Sequence, residues 1–294
     1  MFLVTPLYSI LQNVVIFTLD FIFVIINFVT PQRKVGHVTP EGHPGAGGIW
    51  PEYIAPKKGD SRCSCPALNT MANHGIIPRD GKNVKFSELA PKIRTTYNFA
   101  PTLCFFVPNY AAKMLNKSYD KDTFDLSDLD LHNGIEHDAS LTRKDSALVP
   151  DQGKPHTPFV EELLALATTK DKDGNLVITA KDLSNYSSKR RVDSQVSNPH
   201  YHLDVPHKVF GSANSSTLLN TFGGRVSDLD AFLREERLPQ GWESRVRKRM
   251  GLTFADFNST ALKVELGINE KKYKAKLAST TKYGSTWNSQ QTAV

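Results

Sequence analysis

The chain of 294 residues holds only three cysteines, Cys63, Cys65 and Cys104. An odd, low count rules out a disulfide framework, and Cys63 and Cys65 stand too close in sequence for an ordinary structural bridge. The fold must therefore rest on its core, thiols are left free for chemistry, and the low count favours a reducing compartment. The sequence also lacks an arginine-rich tract and any nucleic-acid motif. Its net charge of +6 is scattered in short clusters such as Lys189-Arg190-Arg191. That pattern describes a solvated basic surface and argues against nucleic acid as a partner. Strand signals are sparse and no internal repeat is visible, so the expected class is mainly α.

Charge is nearly absent from the first thirty residues, where Asp20 stands alone. The apolar run over 7–29 meets the roughly 20 residues that a helix needs to cross a bilayer core. A cleaved signal peptide would want a basic start, a shorter apolar core and a small-residue cleavage site, none of which is clear. The expectation is a single-pass membrane anchor over 1–30, weakened by Asp20, since a mid-bilayer charge costs about 3 kcal/mol on insertion scales. Arg33 and Lys34 follow at once. Positive flanks favour a cytoplasmic domain, on the endoplasmic reticulum. Four Asn-x-Ser/Thr triplets, at Asn116, Asn185, Asn214 and Asn258, keep a lumenal or secreted location as the alternative.

Beyond the anchor, 31–60 is dense in glycine and proline and reads as an extended linker, able to lie over the domain surface. The last stretch, 269–294, is a polar tail expected to be loose at its end. The main domain is 61–268. In it, Pro66 suits a first helical turn, Ser87 opens a helix that Pro91 should limit, and 159–168 forms a compact apolar helix. A serine cap at Ser227 starts another over 227–236, and 253–266 is amphipathic. The segment 170–175 has a faint calcium-loop look but lacks the ligand spacing, so it reads as a polar turn. His200, His202 and His207 lie between Pro199 and Pro206 or beside them and read as loop histidines.

Two constellations carry chemistry. Cys65 immediately precedes the Pro66 helix start, where free N–H groups and the positive helix end favour thiolate. A thiolate there can bind a heme iron and push electron density onto it. A buried structural cysteine is the plainer reading, and His74 is a rival ligand. The second block is Glu136-His137-Asp138-Ala139-Ser140-Leu141-Thr142-Arg143. It offers an acid, a base and a carboxylate able to orient the base, while Glu136 and the Ser140 hydroxyl are oxygen donors for a hard cation. Alone, it reads as an exposed charged loop.

Taken together, Cys65-Pro66-Ala67-Leu68-Asn69, then Ala72-Asn73-His74-Gly75, Pro78-Arg79-Asp80-Gly81 and the block from Glu136 to Asp145 resemble the fungal heme-thiolate peroxidases. These are the chloroperoxidase and short peroxygenase family. Phe210-Gly211-Ser212, Glu235-Glu236-Arg237-Leu238-Pro239 and Gly241-Trp242 extend the likeness, which covers about 45–268. The resemblance implies one helical, heme-binding domain of chloroperoxidase type. It implies heme b with Cys65 as the axial ligand, and a magnesium or manganese ion beside a heme propionate. Glu136 and Ser140 would hold that ion by side chain and His137 by its backbone carbonyl. The His137 side chain should face the distal pocket, paired with Asp138.

One position departs from the pattern. Where the family carries a distal acid-base glutamate, this sequence has Asn214, and an amide cannot shuttle a proton. His137 is then the expected proton handler, with Asp204 the nearest upstream carboxylate. The function implied is peroxidase or peroxygenase chemistry, with hydrogen peroxide oxidising or oxygenating a small, hydrophobic organic substrate. By family analogy its setting is fungal secondary metabolism. The alternative is a heme-binding protein with weak or no peroxide turnover.

Overall fold

The computed structural model describes residues 4–279, with side chains from residue 10 onward. The fold is mainly helical. Nine helices dominate the described residues: α1 (Val4–Val29), α2 (Pro66–Asn73), α3 (Phe86–Tyr97), α4 (Pro101–Met114), α5 (Thr157–Ala165), α6 (Ala180–Ser197), α7 (Val205–Thr221), α8 (Val226–Arg234) and α9 (Phe254–Gly267). Two short antiparallel strand pairs accompany them: Val84–Lys85 with Thr123–Phe124, which α3 and α4 separate in the chain, and the hairpin of Thr169–Lys170 with Leu176–Val177. In the second, the 170–175 segment is the polar turn that its sequence predicts. Asp171 accepts from the backbone N–H groups of Asp173 and Asn175.

Local chemistry explains where these helices begin. Pro66 and Pro101 sit in first turns, where a missing N–H costs nothing. The Asp204 carboxylate caps α7 by accepting from the N–H of His207, and Thr253 caps α9 through Asp256. Thr179 and Asp182 form a reciprocal capping box on α6. Two expectations shift. Helix α3 runs through Pro91 to Tyr97: Leu89, Thr96 and Tyr97 are buried on either side of it, and this packing outweighs one lost backbone bond. Helix α8 starts at Val226 after Arg225, so Ser227 lies inside the helix and is no cap.

The core is aromatic at its centre. Phe222 lies 4.2 Å from Phe232 and 4.8 Å from Trp242, and Phe86 stacks on Phe124 at 4.4 Å. The 31–60 segment is laid over this core. Trp50 is buried and donates its indole N–H to the Trp242 carbonyl at 2.8 Å. The Glu243 carboxylate accepts from the N–H groups of Gly36 and Val38. Gly48 packs so closely on Gly241 that a Cβ would lie 2.7 Å from its backbone. At the other end, 270–279 is helical, with Glu270 and Lys274 bonded to Gln195 of α6. The rest of the proposed 269–294 tail, from 280, lies outside the described residues.

Helix α1 is long and apolar enough to cross a membrane: Ile10–Val29 has a mean hydropathy of 2.0. It does not stand free of the domain. Ile16 packs with Leu103 of α4 and Phe254 of α9, and the Asp20 carboxylate accepts from the Thr102 hydroxyl at 2.6 Å and the Phe254 N–H at 3.1 Å.

Candidate heme-thiolate site

Cys65 is the N-cap residue of α2 and has an extended backbone. Its thiol is half-buried, whereas Cys63 is completely buried. Burial raises the Cys65 thiol above its usual range, and the backbone N–H groups of Leu68 and Ala67 oppose that rise. Burial drives the Cys63 thiol further up, and its Sγ faces the Asn69 amide oxygen at 3.5 Å. Cys104, inside α4, is raised to about 12 by burial. Of the three thiols, Cys65 therefore offers the sulfur that a helix end and free amide N–H groups stabilise as a thiolate. A sulfur placed there without a cation is costly to ionise, so its surroundings suit a positively charged metal centre.

His74 does not compete. Its Nδ1 lies 2.6 Å from the Pro51 carbonyl and its Nε2 accepts from the Leu238 N–H at 3.0 Å. That pair of contacts fixes the neutral Nδ1–H tautomer and occupies both nitrogens. Burial holds its pKa below the usual value, which agrees with a neutral ring.

Beneath Cys65 runs a buried ionic lattice. Arg143 donates to the Glu236 carboxylate at 2.6 Å and to the Gln152 carbonyl at 2.7 Å. Asn69 links the Cys63 carbonyl to Glu236, and Asn73 reaches the Glu236 carbonyl while accepting from Arg62. Arg143, Asn69, Asn73 and Glu236 all belong to the motif blocks of the sequence. Their spacing reflects this lattice, which fixes the start of α2.

The Glu136-His137-Asp138 segment is a buried loop, not an exposed one. Glu136 meets His132 at 2.7 Å through Oε2, while Oε1 is buried without a partner. Burial raises the Glu136 carboxyl, and His132 opposes the rise. An orphaned buried carboxylate oxygen is what a missing hard cation would leave behind, so this donor fits magnesium or manganese. Among the described residues, no group of three His, Cys, Asp or Glu side chains converges to hold a metal. Such an ion would depend on Glu136 plus neutral oxygens.

The loop is shaped by Asp145. Its carboxylate accepts from the N–H of Ala139, the Ser194 hydroxyl and the Asn198 amide, each at 2.9 Å. Ala139 is held at φ 61°, a left-handed conformation that costs an L-residue energy and needs such over-determination. Arg190 of α6 donates to the Ser140 carbonyl at 2.9 Å.

His137 lines a small cavity between this loop and helices α6 and α7, together with Asp138, Arg191, His207, Gly211 and Asn214. The expected pairing differs in detail. His137 Nδ1 faces the Asp138 backbone carbonyl at 2.7 Å, while the Asp138 carboxylate accepts from the N–H of His202 and leaves Oδ1 unpartnered. The Asp138 carboxylate makes no hydrogen bond to the ring. Nδ1 of His137 is thus the donor, and Nε2 is free to accept. Burial keeps the ring's pKa below the usual value. Gly211 makes room for it: a Cβ there would lie 3.1 Å from Cε1.

Asn214 lies on the face of α7 that carries His207 and Gly211, at helical spacings of four and three. His207 is no loop histidine. It sits in the first turn of α7 with Nδ1 2.6 Å from the capping Asp204, its ring 6.4 Å from that of His137. The Asp204-Val205-Pro206 run is a capping signal that could have placed it.

A sequence model of the family described as "Peroxidase, family 2" matches residues 51–247, more than half of the chain. The chain belongs to this family of oxidoreductases. It is 33% identical over 134 residues to a chloroperoxidase of Leptoxyphium fumago, a match covering 41% of this chain and 35% of that protein. It is 24% identical over 265 residues to an aromatic peroxygenase of Coprinellus radians, covering 75% of this chain and 99% of that protein.

Proposed function

We propose that this protein is a heme-thiolate peroxidase or peroxygenase in which the Cys65 thiolate would hold the heme iron. It would use hydrogen peroxide to oxidise or oxygenate a small hydrophobic substrate. The observation that carries this is the place of Cys65, the half-buried thiol at the N-terminus of a proline-started helix within a peroxidase-family chain. When bound, heme supplies the peroxide chemistry; the residues of the chain supply the rest. The α2 terminus holds negative charge on the Cys65 sulfur. The lattice of Arg143 and Glu236 keeps that terminus in place. Glu136 Oε1, the Ser140 hydroxyl and the His137 carbonyl would hold a magnesium or manganese ion. On the cavity side, His137 Nε2 takes and returns a proton, its ring fixed by the Asp138 carbonyl. Asn214 can hold a peroxide oxygen by hydrogen bonding but cannot accept its proton. His207, fixed by Asp204, is a second imidazole at the same cavity. The substrate would reach the site from a membrane to which α1 attaches the protein, which fits fungal secondary metabolism.

The test is spectroscopic. The reduced carbonyl complex of the purified holoprotein should show the long-wavelength band of a thiolate-ligated heme. Cys65→Ser should abolish that band, and Cys63→Ser should retain it. Loss confined to Cys63→Ser would overturn the assignment. Asn214 favours a second reading, a heme protein with little peroxide turnover. Rapid mixing with peroxide separates the two: a ferric spectrum that does not change supports the second.

A further inference from the structure

Helix α1 presents two faces of opposite character. The face toward the domain carries its paired polar groups. Gln12 accepts from Lys113 at 3.0 Å, Asp20 from Thr102 and from the N-terminus of α9, and Asn27 bonds the N–H of Met250 and the carbonyl of Gly251. These residues, with buried Ile16, are separated by four, four and seven positions and so share one helix face. The other face is an open apolar strip. Leu11 is 61% exposed, Val14 55%, Phe21 65% and Phe28 89%. A shallow groove between Ile10, Val14, Phe17 and Phe21 has only Asn13 and Thr18 as polar lining. A contiguous exposed apolar strip of this kind marks a surface made for a membrane or a partner.

Crossing a bilayer is incompatible with this docking. Gln12 to Asn27 covers about 22 Å of helix at 1.5 Å per residue, less than the roughly 30 Å of a hydrocarbon core. Charged groups stand at both ends of that length and, within α1 itself, near its middle. Lys113 stands at one end, Asp20 at the middle, and Arg33, bonded to Arg249, just past the other. A spanning α1 would either carry them into lipid or tear off α4 and α9.

Lying flat meets no such obstacle. Where α1 ends, Arg33, Arg94 and Arg249 crowd together. Burial lowers the Arg33 pKa, and repulsion from Arg94 and Arg249 lowers it further. None of the three forms an ion pair among the described residues, and Lys34 beside them is exposed. An apolar strip ending in unneutralised cations matches an interface of acyl chains and anionic headgroups.

We infer that α1 is a permanent helix of the domain that lies in the plane of an anionic bilayer surface, its outer strip immersed and its inner face docked on α4 and α9. This rests on the membrane attachment proposed above and changes its geometry from a tether to a rigid mount.

The experiment uses the full-length holoprotein and phosphatidylcholine vesicles with and without phosphatidylserine. The chain should float with the anionic vesicles. Phe21→Ser combined with Phe28→Ser, both on the exposed strip, should weaken binding at least about tenfold while circular dichroism stays unchanged. Tryptophan placed in turn at Leu11, Phe21 and Phe28 should be quenched by brominated lipids at one common shallow depth. A deep Phe21→Trp between shallow Leu11→Trp and Phe28→Trp would overturn the in-plane geometry alone. Failure to bind either vesicle, with a dimer in solution, would overturn membrane attachment itself and assign the strip to a second copy. A mature chain cut after Val29 would overturn both.

Discussion

Helix α1 is built mostly from Val, Ile, Leu and Phe, 17 of its 26 residues, yet from residue 10 on only Ile16 and Asp20 are buried. Helix α6 is rich in Ser, Lys, Arg and Asp, yet nine of its 18 residues are buried, among them Ser184, Ser188, Arg190 and Arg191. Hydropathy places each on the wrong side of the surface. Pairing decides the placement. The Ser184 hydroxyl donates to the Val264 carbonyl, Arg191 meets Glu265, and the Arg190 guanidinium lies 3.8 Å over the Phe159 ring while bonding Ser140. A buried polar group with a partner is tolerated, and one without is costly. In α1 the polar groups that find partners, Gln12, Asp20 and Asn27, likewise lie on the docked face, and the apolar majority is left for another solvent.

The comparison can be broken most severely at Arg190. If the polar side chains of α6 were incidental, Arg190→Ala would be mild. The expected loss is about 3–5 kcal/mol, because the Ser140 carbonyl and nearby Asp145 would be left buried without their cation. Urea unfolding of the two proteins measures it. A smaller loss is expected at Asp20. Asp20→Leu makes α1 more apolar, so hydropathy predicts a neutral or favourable change. The pairing argument predicts a loss of about 2 kcal/mol, since the Thr102 hydroxyl and the Phe254 N–H lose their buried acceptor. A thermal shift in detergent or vesicles decides between them. Smaller still is Ser188→Ala, which removes one acceptor from the Asn269 N–H and should cost about 1 kcal/mol.

The same contrast explains what the sequence disclosed. Helices with an apolar stripe and a local start signal were legible: α5, α8 and α9 lie within a few residues of their expected bounds. Helix α6 has no apolar stripe, so its pattern gave no period to read. The site divides in the same way. Cys65-Pro66 and Glu136-His137-Asp138 are contiguous in sequence and were visible as blocks. Arg191 and His207 reach the cavity from α6 and α7, and no local pattern links them to His137. Asn214 was placed by resemblance, and it does line that cavity. The unexpected roles belong to Asp145 and Glu236. Both are buried carboxylates whose importance appears only once distant N–H and guanidinium groups have gathered around them.

The mildest test separates the two docking modes by pH. Helix α6 is held to α9 by an ion pair, Arg191 with Glu265 at 2.6 and 2.9 Å, and the same carboxylate accepts from Ser212 at 2.6 Å. Burial works to raise the Glu265 pKa, but the Arg191 and Ser212 hydrogen bonds outweigh it and leave the group below its usual value. A carboxyl depressed in the folded state binds fewer protons there than in the unfolded chain. Its contribution is therefore fully present above the ordinary glutamate pKa of about 4.5 and is lost as pH falls through the lower folded value. The stability difference between the wild type and Glu265→Gln should be constant near neutrality and shrink on acidification below about pH 4.5. The equivalent difference for Phe21→Ser, on the uncharged outer strip of α1, should stay flat across the same range. Denaturant unfolding of the three proteins at matched pH values measures both. Parallel acid curves for the two substitutions would mean that α6 is held by packing alone, and the distinction between a charge-docked helix and an apolar one would fail.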